Sequence, residues 1–578
     1  MKAKTTDTAR PRSTTSIDDF ALETAKSSGG VTGSKRVLRR SNNSSYQLKP
    51  SILDNTYTRQ LKAKRTEREN FGEFISSCIG RSMLASFDKP STTLPEIILV
   101  YDQHKKRALI ASKYLEGNVV QTLDDYAQAI APGPAPLKGK KKGHASFVPG
   151  QLSDSGKIGL DSNQMVELKS SLRDSIGISA VLGDHDVNPG NMMVVTNLFI
   201  DEETDEIVQQ SQIARIDLGH AFNDLLNVPV APSLFGAALD TAHPVQDFLN
   251  REKVAGFGGG DPSKFWRDYP GMGSLSEMAE MAETFERIGS VPEEAIKKGV
   301  EDAKQGFLDL LRDMKANNDD AGIAHVHSSL VEIYNNISSE KMQESPQQIR
   351  SQIDTIFEEY GNFVINNCKD ALRTSKLLTI QSTIDQQLKN RVPMDQIYAK
   401  VLPIFNNLEP NANQSDPNKK ITWVKEGPDV PPFSGTLKQY LIQRQIDLLY
   451  KQEPNKPVNK IANSILNYLN SYQTYVDSQR IGNSTGIQKA GQLETGLYEI
   501  AEQLAKNNPR GALDLVKVLR TELITKFGET NLIGKSNAIQ AVTQMQADLK
   551  KIVFNEYKQG MAQMRLHNEP KPTPSPDL

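Results

Sequence analysis

Cysteine is almost missing from this chain: there are two in 578 residues, Cys78 and Cys368. Thiols so far apart in sequence make neither a disulfide framework nor a zinc site, and each is read as a buried thiol in an apolar stripe. Net charge is nearly absent as well, at −2, which removes any global argument for nucleic-acid binding. No apolar run approaches the roughly eighteen residues needed to cross a bilayer. No apolar core follows the first basic residues, as it would in a secretory signal peptide. No fixed-period repeat indicates a solenoid. With 37% hydrophobic and 24% charged residues, the composition is that of a soluble chain of several domains, with any membrane contact peripheral.

What is present falls into an ordered series of segments. Residues 1–45 are rich in Ser, Thr, Lys, Arg and Gly, and are expected to form a disordered tail. Alternation over Tyr57–Lys64 predicts a strand, and Phe71, Phe74, Ile75, Cys78 and Ile79 mark the apolar face of a helix. Ile97–Tyr101 and Arg107–Ala111 flank a polar turn and predict a hairpin. The chain then leaves through Ser112, Lys113, Tyr114 and Leu115 toward a helical stretch near Leu123–Ile130. A Pro/Gly/Lys-rich loop covers about 131–157, and Met165, Leu168, Leu172 and Ile176 give a helix expected to stop at Gly177. After Phe222 the chain is irregular to about Gly273. A capping box at Ser290–Glu293 then opens a helix with the stripe Val300, Ala303, Phe307 and Leu310.

The remainder reads as helix after helix: 316–408, a Pro/Asn/Asp-rich linker over 409–435, a bundle over 436–567 and a tail over 568–578. Five amphipathic helices are expected in the bundle: Leu437–Tyr450, Val458–Tyr475, Gln488–Ala505, Ala512–Phe527 and Ala538–Met564.

The residues with chemistry gather between Gly183 and Phe222. Asp186 is followed five residues later by Asn191, and Ile216-Asp217-Leu218-Gly219-His220-Ala221-Phe222 comes after a hairpin-length gap. Phosphoryl transfer needs one carboxylate to orient the attacking hydroxyl, and an amide oxygen with a second carboxylate to hold Mg²⁺ on the phosphates. The apolar runs Met192–Val195 and Gln212–Ile216 around an acidic turn predict a hairpin that sets Asp217 beside Asn191. The plainer reading is an acidic hairpin with an ordinary Asp-x-Gly turn, which leaves the polar residues of the first motif and His220 without a purpose.

Together these two motifs resemble the phosphatidylinositol 3-/4-kinase superfamily, in the divergent form seen in lipid-kinase-like effectors that intracellular bacteria secrete into host cells. The resemblance spans about residues 50–315. It implies an α+β, two-lobed protein/lipid-kinase-like domain, with N-lobe and hinge over 46–117 and C-lobe over 118–315, followed by an all-α helical region. It implies ATP and Mg²⁺ as cofactors, and an inositol phospholipid headgroup as acceptor at a peripheral, cytosolic membrane surface of the host. Carried over by position, Asp186 is the catalytic-loop Asp, and Asn191 and Asp217 are the metal ligands. Lipid kinases usually have Asp-Arg-His ahead of the Asn, whereas Asp186-Val187-Asn188 stands here. Asn188 takes the place of the usual catalytic His, so either His185 supplies that function or Asp186 acts alone.

A kinase also needs a lysine on the phosphates, held by a helix carboxylate. Lys62 is the first choice and Lys64, on the same strand face, the second; Glu73 and Glu67 are the two candidate partners. Ser112–Leu115 would meet adenine through their backbone. No Gly-rich loop immediately precedes Lys62: Gly29, Gly30 and Gly33 sit far upstream, so a loop such as Ser41–Ser45 would have to cradle the phosphates. Lys138 and Lys140–Lys142, with Arg251, Lys253, Lys264 and Arg267, are either solvated or able to attract an anionic headgroup. A protein kinase, or another transferase on the same scaffold, is the first alternative. The second is a pseudokinase whose helical C-terminal region binds a host protein.

Overall fold

The computed structural model describes residues 14–22, 35–49, 67–123, 163–184, 191–200, 207–219, 221–222, 243–250, 275–343, 348–408, 419–424, 433–478, 484–528, 530–531, 534–535 and 537–568. The chain divides into two compact units. The first holds residues 1–233, 239–379 and 424–432; the second holds 234–238, 380–423 and 433–578.

The first unit opens with a six-stranded sheet. Its strands are β1 (Thr14–Ser16), β2 (Phe20–Leu22), β3 (Lys35–Arg39), β4 (Ser45–Lys49), β6 (Ile97–Asp102) and β7 (Arg107–Lys113), in the order β1-β6-β7-β4-β3-β2. The β6–β7 hairpin is continuous in register from Ile97↔Ser112 to Asp102↔Arg107. All six residues of β6 are buried, because one face of the sheet is covered by helices and the other by its own small core of Phe20, Val37, Tyr46, Val100 and Leu109.

Three of these strands lie within residues 1–45, so the expected disordered tail is corrected: 14–22 and 35–39 belong to the sheet. The segments, of three, three and five residues, are too short to read as strands by periodicity. They are ordered by pairing, with Phe20 opposite Arg39 and Val37 opposite Tyr46, and by the Phe20–Tyr46 edge contact at 5.8 Å. The strand expected at 57–64, the helical stretch 124–130 and the loop 131–157 lie outside the described residues.

Helix α1 (Glu67–Leu84) crosses beneath this sheet with Phe71, Phe74, Ile75 and Ile79 buried. It packs against α5 (Glu293–Ala316) at backbone distance. A Cβ added at Gly299 would come within 2.6 Å of the Ile79 Cα, and one at Gly306 within 2.6 Å of the Phe74 ring. Phe307 of α5 meets Phe71 edge-on at 4.9 Å and Phe74 at 5.6 Å. The capping box expected at Ser290 is not formed; Pro292 is the N-cap of α5, with no side-chain cap.

A second sheet, ordered β5-β10-β9-β8, consists of β5 (Thr92–Thr93), β8 (Val119–Thr122), β9 (Met192–Ile200) and β10 (Ile207–Arg215). The chain passes from β7 to β8 through residues 114–118. Gly117 is required there, since a Cβ would come within 2.7 Å of Val195 and 3.3 Å of the Thr196 carbonyl. Helix α2 (Asn163–Val181) packs on β10 and on α4 (Leu275–Gly289). Gly177 does not end α2 as expected. It lies inside the helix, where a Cβ would come within 2.4 Å of Ile288 on α4, so the glycine marks a close helix approach. Within the stretch expected to be irregular after Phe222, α3 (Pro244–Asn250) is helical, with proline at the first position where its missing N–H costs nothing.

Helices α6 (Asp320–Ile337) and the first part of α7 (Ile349–Lys389) complete this unit, so it runs past residue 315, through Thr379. Tyr360 of α7 donates to the Leu330 carbonyl at 2.7 Å, and Asp370 accepts from the Val245 and Gln246 amides at 2.7 and 3.2 Å. The arrangement is α+β and two-lobed, as expected, with an all-helical region following it.

The second unit contains the end of α7 and helices α8 (Met394–Asn406), α9 (Leu437–Gln452), α10 (Pro457–Ser478), α11 (Ser484–Ala505), α12 (Pro509–Phe527) and α13 (Asn537–Asn568). The five expected bundle helices are all present, because their apolar stripes converge on one core that includes Ile446, Ile465, Leu497, Val516 and Val542. The described part of the expected linker 409–435 is packed. Ile421–Thr422 pairs with Ser434–Gly435, and Trp423 is fully buried, stacked on Tyr440 at 4.2 Å.

Candidate phosphoryl-transfer site

Three charged side chains from three distant segments meet in the first unit. The Lys49 ammonium lies 2.7 Å from Glu73 Oε1 and 3.4 Å from Asp217 Oδ1. Lys49 is the last residue of β4, Glu73 stands on the second turn of α1, and Asp217 follows β10. Glu73 is fully buried, the Lys49 side chain is 9% exposed, and that of Asp217 is 38% exposed. The buried end of this trio is thus a satisfied ion pair, and its open end is a carboxylate facing solvent. Asn70, also fully buried, fixes the strand to the helix by donating to the Lys49 carbonyl at 3.3 Å.

The lysine facing Glu73 is therefore Lys49. Lys62 and Lys64 lie outside the described residues. Of the two candidate carboxylates, Glu73 makes the contact. Glu67 stands six residues earlier on α1, on a different side of the helix, against Asp319. Burial, then the Asp319 charge, push the Glu67 carboxyl up to about 8, opposed by a backbone hydrogen bond from Ala108. Asp319 itself caps α6, accepting from the Gly322 amide at 2.9 Å, and accepts from the Tyr101 hydroxyl at 3.1 Å.

Asp217 adopts φ 58°, in the left-handed region that Asp tolerates better than most residues. Phe222, at the end of the same motif, has φ 55°, a costlier conformation for an aromatic residue. Its ring is fully buried, 5.3 Å from Tyr360 and 6.0 Å from Phe363. Its amide donates to the Leu182 carbonyl at 3.0 Å, so packing and hydrogen bonding hold the strained turn. The turn also touches α1: a Cβ at Gly72 would lie 3.4 Å from the Gly219 carbonyl and 3.7 Å from that of Ala221.

Asn191 is brought beside Asp217 by the β9–β10 register. Arg215 pairs with Met192, and the Ile216 amide donates to the Asn191 carbonyl at 2.9 Å. His185, Asp186 and Asn188 lie outside the described residues, but both flanks of their segment are held by one side chain. Arg215, fully buried, donates to Ser179 Oγ at 3.0 Å, to the Asn191 carbonyl at 2.8 Å, to the Ile216 carbonyl and to the Asp184 carboxylate. Asp184 is fully buried too and stands just before the segment, as Asn191 stands just after it. Sequence reading passed over Arg215. A lone arginine at the end of an apolar strand was its only signal.

At the other end of β4 the chain crosses between the sheets. Ser112 is buried in the β6–β7–β4 ladder, the Lys113 amide donates to the Glu96 carbonyl at 2.8 Å, and the Tyr114 amide donates to Ser45 at 2.9 Å. The Arg36 guanidinium sits 4.8 Å over the Tyr114 ring. Leu115 begins the crossing to β8. The Ser45 and Lys49 ends of β4 are four residues apart, about 14 Å along an extended strand.

The β3–β4 turn, Arg40–Ser44, is at the Ser45 end of β4, so the Ser41–Ser45 loop and Lys49 stand at opposite ends of that strand. The β2–β3 connection, residues 23–34, returns to the sheet at Lys35, which pairs with Leu48 next to Lys49. Gly29, Gly30 and Gly33 belong to that connection.

Asn191 and Asp217 offer hard oxygen donors of the kind Mg²⁺ takes, from adjacent strand ends. The donor set fits that ion. No group of three or more His, Cys, Asp or Glu able to hold a metal occurs among the described residues, His325 and His327 included. Burial pushes both thiols up to about 12, Cys368 being buried and Cys78 half-buried. The basic clusters at 138–142 and 251–267 lie outside the described residues.

Residues 153–229 match a family model described as the LepB N-terminal domain. That span takes in α2, both motifs and the β9–β10 hairpin, a minor part of the chain. Among solved structures, the Helicobacter pylori proinflammatory kinase CtkA is similar at 12% identity and a TM-score of 0.28, over 62% of this chain and 98% of that one. No curated protein sequence matches.

Two outcomes are expected from this geometry. Arg215→Ala, which takes the guanidinium away from the buried Asp184 carboxylate, should destabilise the first unit by about 3–5 kcal/mol. Arg215→Met with Asp184→Leu should recover much of that loss; equal unfolding midpoints for wild type and Arg215→Ala would contradict the clamp. Glu67 keeps its proton in the fold up to about pH 8 but loses it near pH 4.5 when unfolded. Across that window the unfolded state binds fewer protons, so this residue's contribution to stability falls as pH rises. Glu67→Gln should therefore raise the thermal midpoint near pH 8 and change it little below pH 4.5; a gain of equal size at both would refute the assignment.

Proposed function

We propose that the first unit is an ATP- and Mg²⁺-dependent phosphotransferase of the phosphatidylinositol 3-/4-kinase kind, acting on the headgroup of an inositol phospholipid. The observation that carries this reading is the Lys49–Glu73–Asp217 constellation, with Asn191 held at its side. An ammonium fixed by a buried carboxylate, with one flank open, is suited to phosphate oxygens. Asp217 and Asn191 are the residues that would hold the metal. Bound Mg²⁺ would neutralise charge on the transferring phosphates and help bring the donor phosphate in line with its acceptor.

The protein's own contribution is positioning. Of the Ser112–Leu115 stretch, the Lys113 and Tyr114 amides are engaged in the sheet, so the crossing that begins at Leu115 would present backbone to the adenine at the Ser45 end of β4, and Lys49 would receive phosphate at the other. Gly29, Gly30 and Gly33, which precede β3, are of the residue type that would let backbone amides approach those phosphates. Asp186 orients the acceptor hydroxyl and takes up its proton, with Arg215 fixing the flanks of its segment. The choice of lipid over protein rests on the Ile-Asp-x-Gly-His-x-Phe form of the second motif. On that resemblance the chain acts as a secreted effector at a host membrane, with its helical region available to a host protein.

The test is incubation of the full chain with radiolabelled ATP, Mg²⁺, a panel of phosphoinositides and a protein substrate. Label is expected on lipid. Asp217→Ala should reduce it about a hundredfold or more with the fold retained, and Lys49→Met should do the same while lowering stability, since Glu73 stays buried. Label on protein alone would move the acceptor to the first alternative, and undiminished transfer by Asp217→Ala would remove the metal assignment.

A further inference from the structure

The last helix carries a face that the bundle does not use. Along α13, Ile539, Val542 and Leu549 are buried in the core of the second unit, and Ile552 and Val553 pack partly against it. From Phe554 to Met561 the side chains are exposed, and a Cβ added at Gly560 would meet no atom within 4 Å among the described residues. Phe554 and Tyr557 are each 59% exposed and Met561 is 42% exposed. Large apolar groups that a bundle could bury are instead turned outward, which is the unusual observation about a soluble surface.

Their spacing puts them on one row with cations. Lys550, Phe554, Tyr557 and Met561 follow one another by four, three and four positions, so they share a face about 17 Å long. Lys558 adjoins that row, its ammonium 5.5 Å over the Phe554 ring. The acidic residues of the same stretch stand off that row: Asp548 and Glu556 are each four positions from Ile552, both reach solvent, and Asp548 pairs with Lys551 at 3.4 Å. The outward row is thus basic and aromatic.

We propose that this face of α13 docks on an anionic phospholipid surface. Such a surface offers negative headgroups to Lys550 and Lys558 and an apolar layer just beneath them to the two rings and the thioether. The helix would lie in the interface, since no helix among the described residues is long and apolar enough to cross a membrane. The cations of this face, being snorkelling lysines, can keep their charge in the headgroups while their stems cover apolar surface. The proposal stands apart from the phosphotransferase reading, because it concerns a surface of the second unit and is tested without nucleotide.

The experiment is co-sedimentation of the full chain with vesicles of phosphatidylcholine, alone or mixed with phosphatidylserine. Wild type should pellet with the mixed vesicles, weaken as salt is raised, and remain in solution with phosphatidylcholine alone. Phe554→Ser/Tyr557→Ser/Met561→Ser and, separately, Lys550→Glu/Lys558→Glu should each lower the affinity about tenfold or more, at unchanged helical circular dichroism. Failure of wild type to bind the mixed vesicles, or binding by both variants as tight as wild type, would overturn the proposal. So would a wild-type dimer in sedimentation velocity that the triple substitution abolishes, which would give the face to a second copy.

Discussion

A carboxylate with no access to water must be answered inside the protein, and at Glu73 the answer is Lys49. Much of the first unit can be read as the means of bringing these two groups together. Lys49 ends a strand whose position is set by β3 on one side and β7 on the other. Glu73 rides on a helix pressed from below by α5, at points where glycine lets backbone meet backbone. A displacement of α1 by one ångström would cost the ion pair and the edge-on packing of Phe71 and Phe74 on Phe307 together. The cost of leaving a buried charge unpaired, several kcal/mol, makes that arrangement close to all-or-none.

The same packing reaches the second motif. Phe71 touches Phe307, Phe307 touches Phe357, Phe357 touches Tyr360, and Tyr360 touches Phe222. A continuous aromatic series therefore links the helix that carries Glu73 to the strained turn that carries Asp217. Two of its members stand on α7, which places that helix's first part in the site's foundation. Arg215 does by hydrogen bonding what the rings do by packing, fixing Asp184, Asn191 and Ile216 around one guanidinium.

How legible was this beforehand? The β6–β7 and β9–β10 hairpins, α1, α5 and the bundle helices are plain in the sequence because their apolar residues repeat at strand or helix period. Asp217 and Asn191 are legible because the motif and the hairpin between them share one short segment. Lys49 was not. Its strand is five residues with one fully buried side chain, Tyr46, and it is specified by partners at 35–39 and 107–113 that no local pattern announces. Gly29, Gly30 and Gly33 stand between β2 and β3, a placement that only the pairing of those short strands makes legible. Gly177, Gly299 and Gly306 illustrate a third limit, since in each case the missing side chain accommodates a neighbour far away in sequence.

The central claim is that Lys49, steadied by Glu73, and Asp217, beside Asn191, form a nucleotide-phosphate site. Equilibrium binding of a fluorescent ATP analogue to the full chain, titrated with and without Mg²⁺, tests it most directly. The account predicts binding that strengthens with Mg²⁺ in wild type, loses that strengthening in Asp217→Asn, and falls away in Glu73→Gln, where Lys49 loses its buried partner. Binding indifferent to Mg²⁺ and to both substitutions, or none at millimolar nucleotide, would contradict it.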